Sequence, residues 1–163
     1  MNQVIAMHGW AGDRQQWQHW ASRFLAKGWR WTGSERGYSG QSMVQPSWSV
    51  DAERRVVIAH SLGWHLCPAP LLSSATDLVL LGSFGRFVLR GAAGRAQRVG
   101  LKGMERQLGT ADETRMLRNF LERAASPLSL STHPARAALG GRPPQGRESL
   151  RQDLVLLASR TDL

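Results

Sequence analysis

Arg54-Arg55-Val56-Val57-Ile58-Ala59-His60-Ser61-Leu62-Gly63 is the most informative run of the chain. Its first half concentrates β-branched apolar residues, which predicts a buried strand. Residues 64–67 predict the start of a helix, which two nearby prolines at 68 and 70 would shorten. A serine between a strand and a helix, flanked by small residues, is typical of a sharp elbow that projects a nucleophilic hydroxyl above the sheet edge. Ser61 is therefore the predicted nucleophile, and the alternative is a structural serine that caps a helix.

A glycine-rich loop follows an early strand and supplies the second part of the predicted site. Residues 3–7 form an apolar run that ends at His8-Gly9-Trp10-Ala11-Gly12. Hydrolases with a serine elbow bind the oxyanion through the N–H after the nucleophile and an N–H of an early loop. We therefore predict the main-chain amides of Leu62 and Trp10 as donors. Because the base of such enzymes comes last in chain order, His8 is expected to orient the loop beside the substrate pocket.

Strand and helix patterns alternate through the first half of the chain. Asp13 is placed to cap a helix that ends at Gly28, and residues 29–32 and 76–81 predict two more strands. Alternation at this density predicts an α/β protein with a parallel sheet flanked by helices. Residues 86–125 are helical in pattern, 126–147 are loop-like, and 148–158 predict a helix or a helix followed by a strand. The predicted division is a core at 1–85, an insertion at 86–147 and a return to the core at 148–163.

The composition indicates a soluble globular chain. Hydrophobic residues make up 42% of the 163 residues, and the single cysteine, Cys67, excludes an internal disulfide. The start lacks the features of a signal peptide, and the apolar runs are too short to cross a bilayer. We therefore expect a cytoplasmic protein with no membrane association, no cofactor and no metal.

The chain is strongly basic, with 19 arginines and two lysines giving a net charge of +9. Such a surface can attract nucleic acid, an anionic membrane or an acidic protein. A merely solvated surplus of arginine is the alternative, and both readings stay open. No nucleic-acid-binding module is recognisable, so we expect no nucleic-acid partner.

Four segments in order carry a resemblance to a known family: His8-Gly9-Trp10 with Trp17, Glu35-Arg36-Gly37-Tyr38-Ser39-Gly40, His60-Ser61-Leu62-Gly63-Trp64, and Leu78-Val79-Leu80-Leu81-Gly82-Ser83-Phe84. Together they resemble the carboxylesterases that cleave the methyl ester of pimeloyl-acyl-carrier protein in biotin synthesis, particularly the cyanobacterial type. The likeness spans residues 1–87 and continues only in outline. It implies the α/β-hydrolase fold and a serine esterase that uses Ser61 on an acyl ester.

The resemblance also implies a pocket and a partner. Trp10, Trp64 and Phe84 would line an apolar pocket for the acyl chain, although core packing is equally compatible with Trp64. Residues 86–147 would form a helical lid whose arginines face an acidic acyl carrier protein. Segment 86–123 carries nine basic residues against four acids, which permits that role.

The chain departs from the family pattern at its end. In the family the catalytic acid and histidine follow two later strands, and residues 153–163 resemble the stretch just before them. We therefore expect an incomplete, truncated α/β-hydrolase with impaired activity, since a serine without a base is a weak nucleophile. Asp112 and His133 are the only conceivable substitutes, and His133 is expected to be an exposed loop residue. A non-catalytic module that binds an acyl carrier or another acidic protein is the alternative function.

Overall fold

The structure is a computed structural model that describes residues 1–129 and 141–159. Its contacts divide the chain into two compact units. The first unit comprises Met1–Gly37 and Gln41–Ser83, and the second comprises Tyr38–Gly40 together with the chain from Phe84 onward. Residues 38–40 therefore belong to the second unit, although the chain before and after them belongs to the first.

The first unit is built on a four-stranded parallel sheet. Its strands are β1 (Asn2–Met7), β2 (Arg30–Gly33), β3 (Arg54–His60) and β4 (Asp77–Leu81), in the order β2-β1-β3-β4. All three pairings are parallel, and Met7 lies opposite Ala59 at the carboxyl ends of the two central strands. The predicted parallel sheet is confirmed.

Helices of the first unit begin and end where the sequence predicts. A 3-10 turn (Arg14–Trp17) leads into α1 (Gln18–Leu25), and the Asp13 carboxylate accepts the Gln15 N–H at 2.8 Å. Gly28, with φ +74°, lies in the left-handed region that ends the helical segment. The prolines divide the segment after β3 into two short helices, α2 (Gly63–Leu66) and α3 (Ala69–Ser73).

The sheet buries one apolar cluster on each face, because side chains alternate along every strand. One cluster consists of Ile5, Met7, Val57, Ala59, Cys67 and Leu71. The opposite cluster consists of Val4, Ala6, Trp17, Val56 and Ile58, with Phe24 of α1 packed against it. Burial raises the pKa of the Cys67 thiol to about 11, so this cysteine is not a competing nucleophile.

The edge strand β4 is apolar and open. Leu78, Val79 and Leu80 are 43%, 37% and 41% exposed, although they alternate between the two faces of the sheet. Parallel strands are normally covered on both faces. Within the described residues, β4 is the place where the first unit leaves most strand-borne apolar surface accessible.

The second unit is helical. It contains α4 (Arg95–Gln107), α5 (Glu113–Ala125) and α6 (Pro144–Ser159). The buried hydroxyl of Tyr38 donates a hydrogen bond to the buried Asp153 carboxylate of α6 and so ties the 38–40 segment to this unit.

The predicted loop at 126–147 is wrong for its last four residues, which form the first turn of α6. A proline is tolerated at a helix start because its missing N–H has no partner to lose there. Residues 148–158 are helical throughout, and residues 130–140 lie outside the described residues. The interpretation of residues 86–147 as a lid stays a prediction. None of the described helices combines the length and apolarity needed to cross a bilayer.

Candidate active site

Ser61 occupies a strained elbow between β3 and α2. Its φ is +52°, a left-handed conformation that costs a non-glycine residue roughly 1–2 kcal/mol. The Ser61 N–H donates to the Leu81 carbonyl oxygen at 2.9 Å, which fixes the elbow to the end of β4. Leu62 is completely buried, whereas Ser61 is only partly buried. The geometry is that of an elbow with a strained serine at its tip, as the sequence predicts.

Two glycines allow the chain after β1 to approach this elbow closely. A Cβ on Gly63 would lie 2.4 Å from the Met7 carbonyl oxygen, which is too short for any side chain. A Cβ on Gly9 would lie 3.0 Å from the Ser61 Cβ. The loop after β1 and the serine turn are therefore in contact through backbone that only glycine provides at these positions.

The predicted oxyanion donors lie in these two adjoining segments. Trp10 is 5% exposed and belongs to a turn in which the Gly12 N–H donates to the Gly9 carbonyl oxygen at 3.1 Å. Ala11, in the same turn, has φ +58° and is the second described non-glycine residue with positive φ. Strained backbone at both segments is typical of functional sites. The roles of the Trp10 and Leu62 amides as donors stay predictions.

His8 connects the loop after β1 with the loop after β2. Its ring is 1% exposed, and Nδ1 lies 2.9 Å from the Gly9 carbonyl oxygen, to which it can donate. Nε2 accepts the Arg36 N–H at 3.3 Å. A proton on Nδ1 and a lone pair on Nε2 satisfy both contacts. The arrangement fits a loop-orienting histidine, and its place in a substrate pocket stays a prediction.

Glu35 is a buried carboxylate that the sequence analysis did not single out. It is 2% exposed, accepts the Gly37 N–H at 2.9 Å and the Arg14 N–H at 3.1 Å, and lies 3.7 Å from His8 Nε2. Burial acts to raise its pKa, but the hydrogen bonds donated by the Gly37 and Arg14 N–H groups outweigh it, so the pKa is lowered. An acid two residues after a strand and two residues before a glycine was the available signal.

The two remaining pocket candidates occupy different units. Trp64 is partly buried and packs against the cluster that contains Cys67 and Leu71. Phe84 belongs to the second unit, where its ring lies 5.2 Å from that of Phe87. Their role in lining a pocket stays a prediction.

No base is engaged with Ser61 in the part of the chain that the structure describes. Among residues 1–129 and 141–159, no hydrogen bond joins the Ser61 hydroxyl to a histidine or a carboxylate. Asp112 is exposed in the second unit and binds Arg115 at 2.7 Å, and His133 lies outside the described residues. The same ranges contain no group of three or more histidine, cysteine and acidic side chains suited to hold a metal.

Comparison with solved structures identifies proteins with the same fold. No family model and no curated protein matches the sequence. Among solved structures, an esterase (EaEST) from Exiguobacterium antarcticum superimposes over 99% of this chain with a TM-score of 0.70 and 16% identity. MenH from S. aureus covers 92% with a TM-score of 0.63 and 13% identity. A carboxylesterase structure from the thaumarchaeon Nitrososphaera gargenis covers 96% with a TM-score of 0.59 and 12% identity.

The chain has the α/β-hydrolase fold. It spans 67%, 65% and 69% of the lengths of those three structures, or about two thirds. At such low identities the likeness establishes the fold alone. The α/β-hydrolase fold places its nucleophile after a central strand, and β3 of this chain ends at such a position.

The strain at Ser61 predicts that glycine is more stabilising than alanine at this position, the reverse of their order within a helix. Because the left-handed conformation favours glycine, Ser61→Gly is expected to be more stable than Ser61→Ala by about 1 kcal/mol. Ser22, within α1, is the control, where Ser22→Gly should be less stable than Ser22→Ala by roughly 1 kcal/mol. Urea unfolding of the four variants measures both differences. Equal stabilities of the two variants at position 61 would contradict the strained elbow.

The buried carboxylate of Glu35 predicts a specific acid dependence. Because its folded-state pKa is lowered, its contribution to stability is complete above its ordinary value of 4.5 and is lost as the pH falls through the lower folded value. Glu35→Gln should cost about 1–3 kcal/mol at neutral pH, since the amide cannot accept both N–H groups. The difference between wild type and variant should shrink below a pH of about 4.5.

Urea unfolding across that pH range measures this effect. Glu53→Gln is the matched control, because the Glu53 side chain is 88% exposed. Other carboxylates with lowered pKa values, such as Glu113, are present in both proteins and cancel in the difference. A gap between wild type and Glu35→Gln that stays constant with pH would refute the role of the ionised carboxylate.

Proposed function

We propose that this chain carries the nucleophile and oxyanion-binding part of a serine ester hydrolase. The observation that supports this most strongly is Ser61, held at φ +52° between β3 and α2 with Gly9 directly beside it. The matched structures from Exiguobacterium antarcticum and Nitrososphaera gargenis are described as esterases, which agrees with the proposal. The proposed substrate is an acyl ester.

In the proposed reaction, the Ser61 Oγ attacks the ester carbonyl carbon and the carbonyl oxygen becomes an oxyanion. The main-chain N–H groups of Leu62 and Trp10 would donate hydrogen bonds to that oxygen. The alcohol leaves with a proton, and water then hydrolyses the acyl-serine to release the acid. Each step moves a proton, so the rate depends on a base.

The described residues supply the nucleophile without an engaged base, and this sets the expected rate. Serine hydrolases that lose a triad member keep roughly 10³–10⁴-fold catalysis over water, from the oxyanion hole and binding alone. We therefore propose that this chain is a slow esterase by itself. Its elbow would still present the hydroxyl to a reactive electrophile.

A fluorophosphonate probe tests the nucleophile directly. We expect slow, stoichiometric labelling that Ser61→Ala abolishes, because the proposal puts the elbow hydroxyl next to backbone donors for the phosphonate oxygen. Ser73→Ala is the matched control, since Ser73 is an exposed serine in α3. Intact-mass spectrometry and peptide mapping report the labelled residue. Unchanged labelling in Ser61→Ala, or labelling that Ser73→Ala removes, would end the proposal.

For the substrate, we propose an acyl group presented by an acidic carrier, as in the pimeloyl-acyl-carrier-protein methyl esterases. The supporting observation is a row of basic residues along one face of α4. Arg95, Lys102 and Arg106 are exposed and follow helical spacing, and the only acid in α4 is Glu105. Such a face complements an acidic helix by charge.

A non-catalytic module that binds the same acidic carrier is the second candidate function. The absence of a base engaged with Ser61 in the described residues favours it. It shares the α4 face with the esterase proposal and differs only in lacking turnover. Labelling of Ser61 without ester turnover, together with carrier binding, would favour this candidate.

Charge reversal on α4 tests the proposed partner. Arg95→Glu, Lys102→Glu and Arg106→Glu together should weaken binding of an acyl carrier protein by at least about tenfold, and wild-type binding should weaken as salt rises. The matched control reverses Arg115, Arg118 and Arg123 on α5, which changes the net charge equally. Isothermal titration calorimetry at low and high salt measures both. Equal losses of affinity in the two triple variants would show that net charge alone causes the effect, and would contradict α4 as the binding face.

A further inference from the structure

The chain after β2 forms a loop that is closed at its base. Glu35 and Val44 pair as an antiparallel bridge, in which the Glu35 N–H donates to the Val44 carbonyl oxygen at 3.1 Å and the Val44 N–H donates back at 3.0 Å. Above this bridge the two arms stay close together, since a Cβ on Gly37 would lie 2.9 Å from the Gln41 carbonyl oxygen. The loop therefore has a fixed base and a short tip, which consists of residues 38–40.

The base of this loop is connected to the serine elbow by a series of contacts within the first unit. The Arg36 N–H donates to His8 Nε2 at 3.3 Å, and the other ring nitrogen of His8 lies 2.9 Å from the Gly9 carbonyl oxygen. Gly9 in turn approaches the elbow so closely that a Cβ there would lie 3.0 Å from the Ser61 Cβ. The place of the Arg36 backbone therefore helps to set the place of the loop after β1.

The tip of the loop is held by α6, within the second unit. The Tyr38 side chain is completely buried, and its hydroxyl donates a hydrogen bond to the carboxylate of Asp153, which is 2% exposed. Beside it, a Cβ on Gly40 would lie 3.4 Å from Pro143 Cγ, just before the start of α6. A phenylalanine would fill the same buried volume as Tyr38, so the hydroxyl adds a directional contact to the packing.

We infer that Tyr38 is a positioning residue for the Ser61 site and acts through Arg36 and His8. A single residue separates Tyr38 from Arg36, and the N–H of that residue, Gly37, is held by the Glu35 carboxylate at 2.9 Å. A displacement of Tyr38 therefore cannot be absorbed in the linking backbone and moves the Arg36 N–H away from His8. The hydrogen bond to α6 thus holds the loop that carries the proposed oxyanion donor of Trp10. Its effect on catalysis rests on the proposed esterase function, whereas the effect on His8 does not.

Tyr38→Phe in the whole chain tests this inference, because it removes the hydroxyl and keeps the ring. Amide exchange of the Arg36 N–H, followed by NMR, should become at least about tenfold faster as its bond to His8 opens more often. Fluorophosphonate labelling of Ser61 should slow by at least about fivefold, since small displacements of a positioned group are costly in rate. Asp153→Asn keeps an oxygen that accepts the Tyr38 hydroxyl and should stay close to the wild type in both measurements.

A matched control removes a different hydrogen bond of α6. Arg151 donates to the Leu108 carbonyl oxygen at 2.9 Å within the same unit, and Arg151→Met deletes that bond without touching the tip of the loop. It should leave Arg36 exchange and Ser61 labelling unaltered. A purely structural role of Tyr38 predicts that the two variants change both readouts alike.

A second pair of variants covers the case in which Tyr38→Phe does not fold. Gly40 and Gly28 have φ values of +90° and +74°, so alanine imposes backbone strain at either position. Only Gly40 lies in the tip of the loop, and Gly28 has no neighbouring atom within 4 Å of its ideal Cβ. Gly40→Ala should therefore speed Arg36 exchange, whereas Gly28→Ala should not. Circular dichroism reports whether each variant is folded.

Three outcomes would overturn the inference: Arg36 exchange that is unchanged in folded Tyr38→Phe, equal effects of Tyr38→Phe and Arg151→Met, and equal effects of the two glycine variants. Faster Arg36 exchange with an unchanged rate of Ser61 labelling would also overturn the positioning role. If Arg36 exchange responds as expected and the wild type shows no labelling of Ser61, the coupling to His8 is supported and the esterase proposal is refuted.

Discussion

The parallel pairing of β1 with β3 is the constraint on which the candidate site depends. With Met7 opposite Ala59, both strands end at the same level, and the chain leaving each one enters the same small volume. The backbone after β1 then packs so tightly against the serine turn that a Cβ on Gly63 would lie 2.4 Å from the Met7 carbonyl oxygen. A slip of one residue in this pairing would turn every side chain of β3 to the other face and remove the contact. The same register of β1 against β3 is therefore required both for core packing and for the geometry of the candidate site.

A buried polar cluster connects the loop after β1 with the loop after β2. His8 and Glu35 are both nearly inaccessible to solvent, and between them they bind main-chain groups of Gly9, Arg14, Arg36 and Gly37. Buried polar groups are costly unless their hydrogen bonds are made, so the loops after β1 and β2 are held in an arrangement that satisfies them. The cluster gives the loop after β1 a fixed position without using any residue of the elbow itself.

Sequence reasoning located the elements of the first unit well and its tertiary details poorly. The β3 bounds, the Asp13 cap and the division of the helix after Ser61 by Pro68 and Pro70 all follow from local chemistry, which acts over a few residues. The buried role of Glu35 was not predicted, because its partners lie in a loop 21 and 27 residues away in sequence. The start of α6 at Pro144 was missed because proline was read as a loop signal, although it is also favoured in the first turn of a helix. The exposure of β4 could not be foreseen, since its apolar run predicts burial and nothing local specifies what covers it.

The strain at Ser61 and the question of its base are physically separable. A left-handed serine costs roughly 1–2 kcal/mol, and it persists because the Leu81 carbonyl, the β1 backbone and Gly63 together determine its position. None of these groups transfers a proton. The elbow therefore forms in the first unit whether or not a base is supplied, and an esterase and a non-catalytic binding module would share the same folded serine turn. What distinguishes them is proton transfer alone, so the structure of the elbow supports both equally and the chemistry of the hydroxyl decides between them.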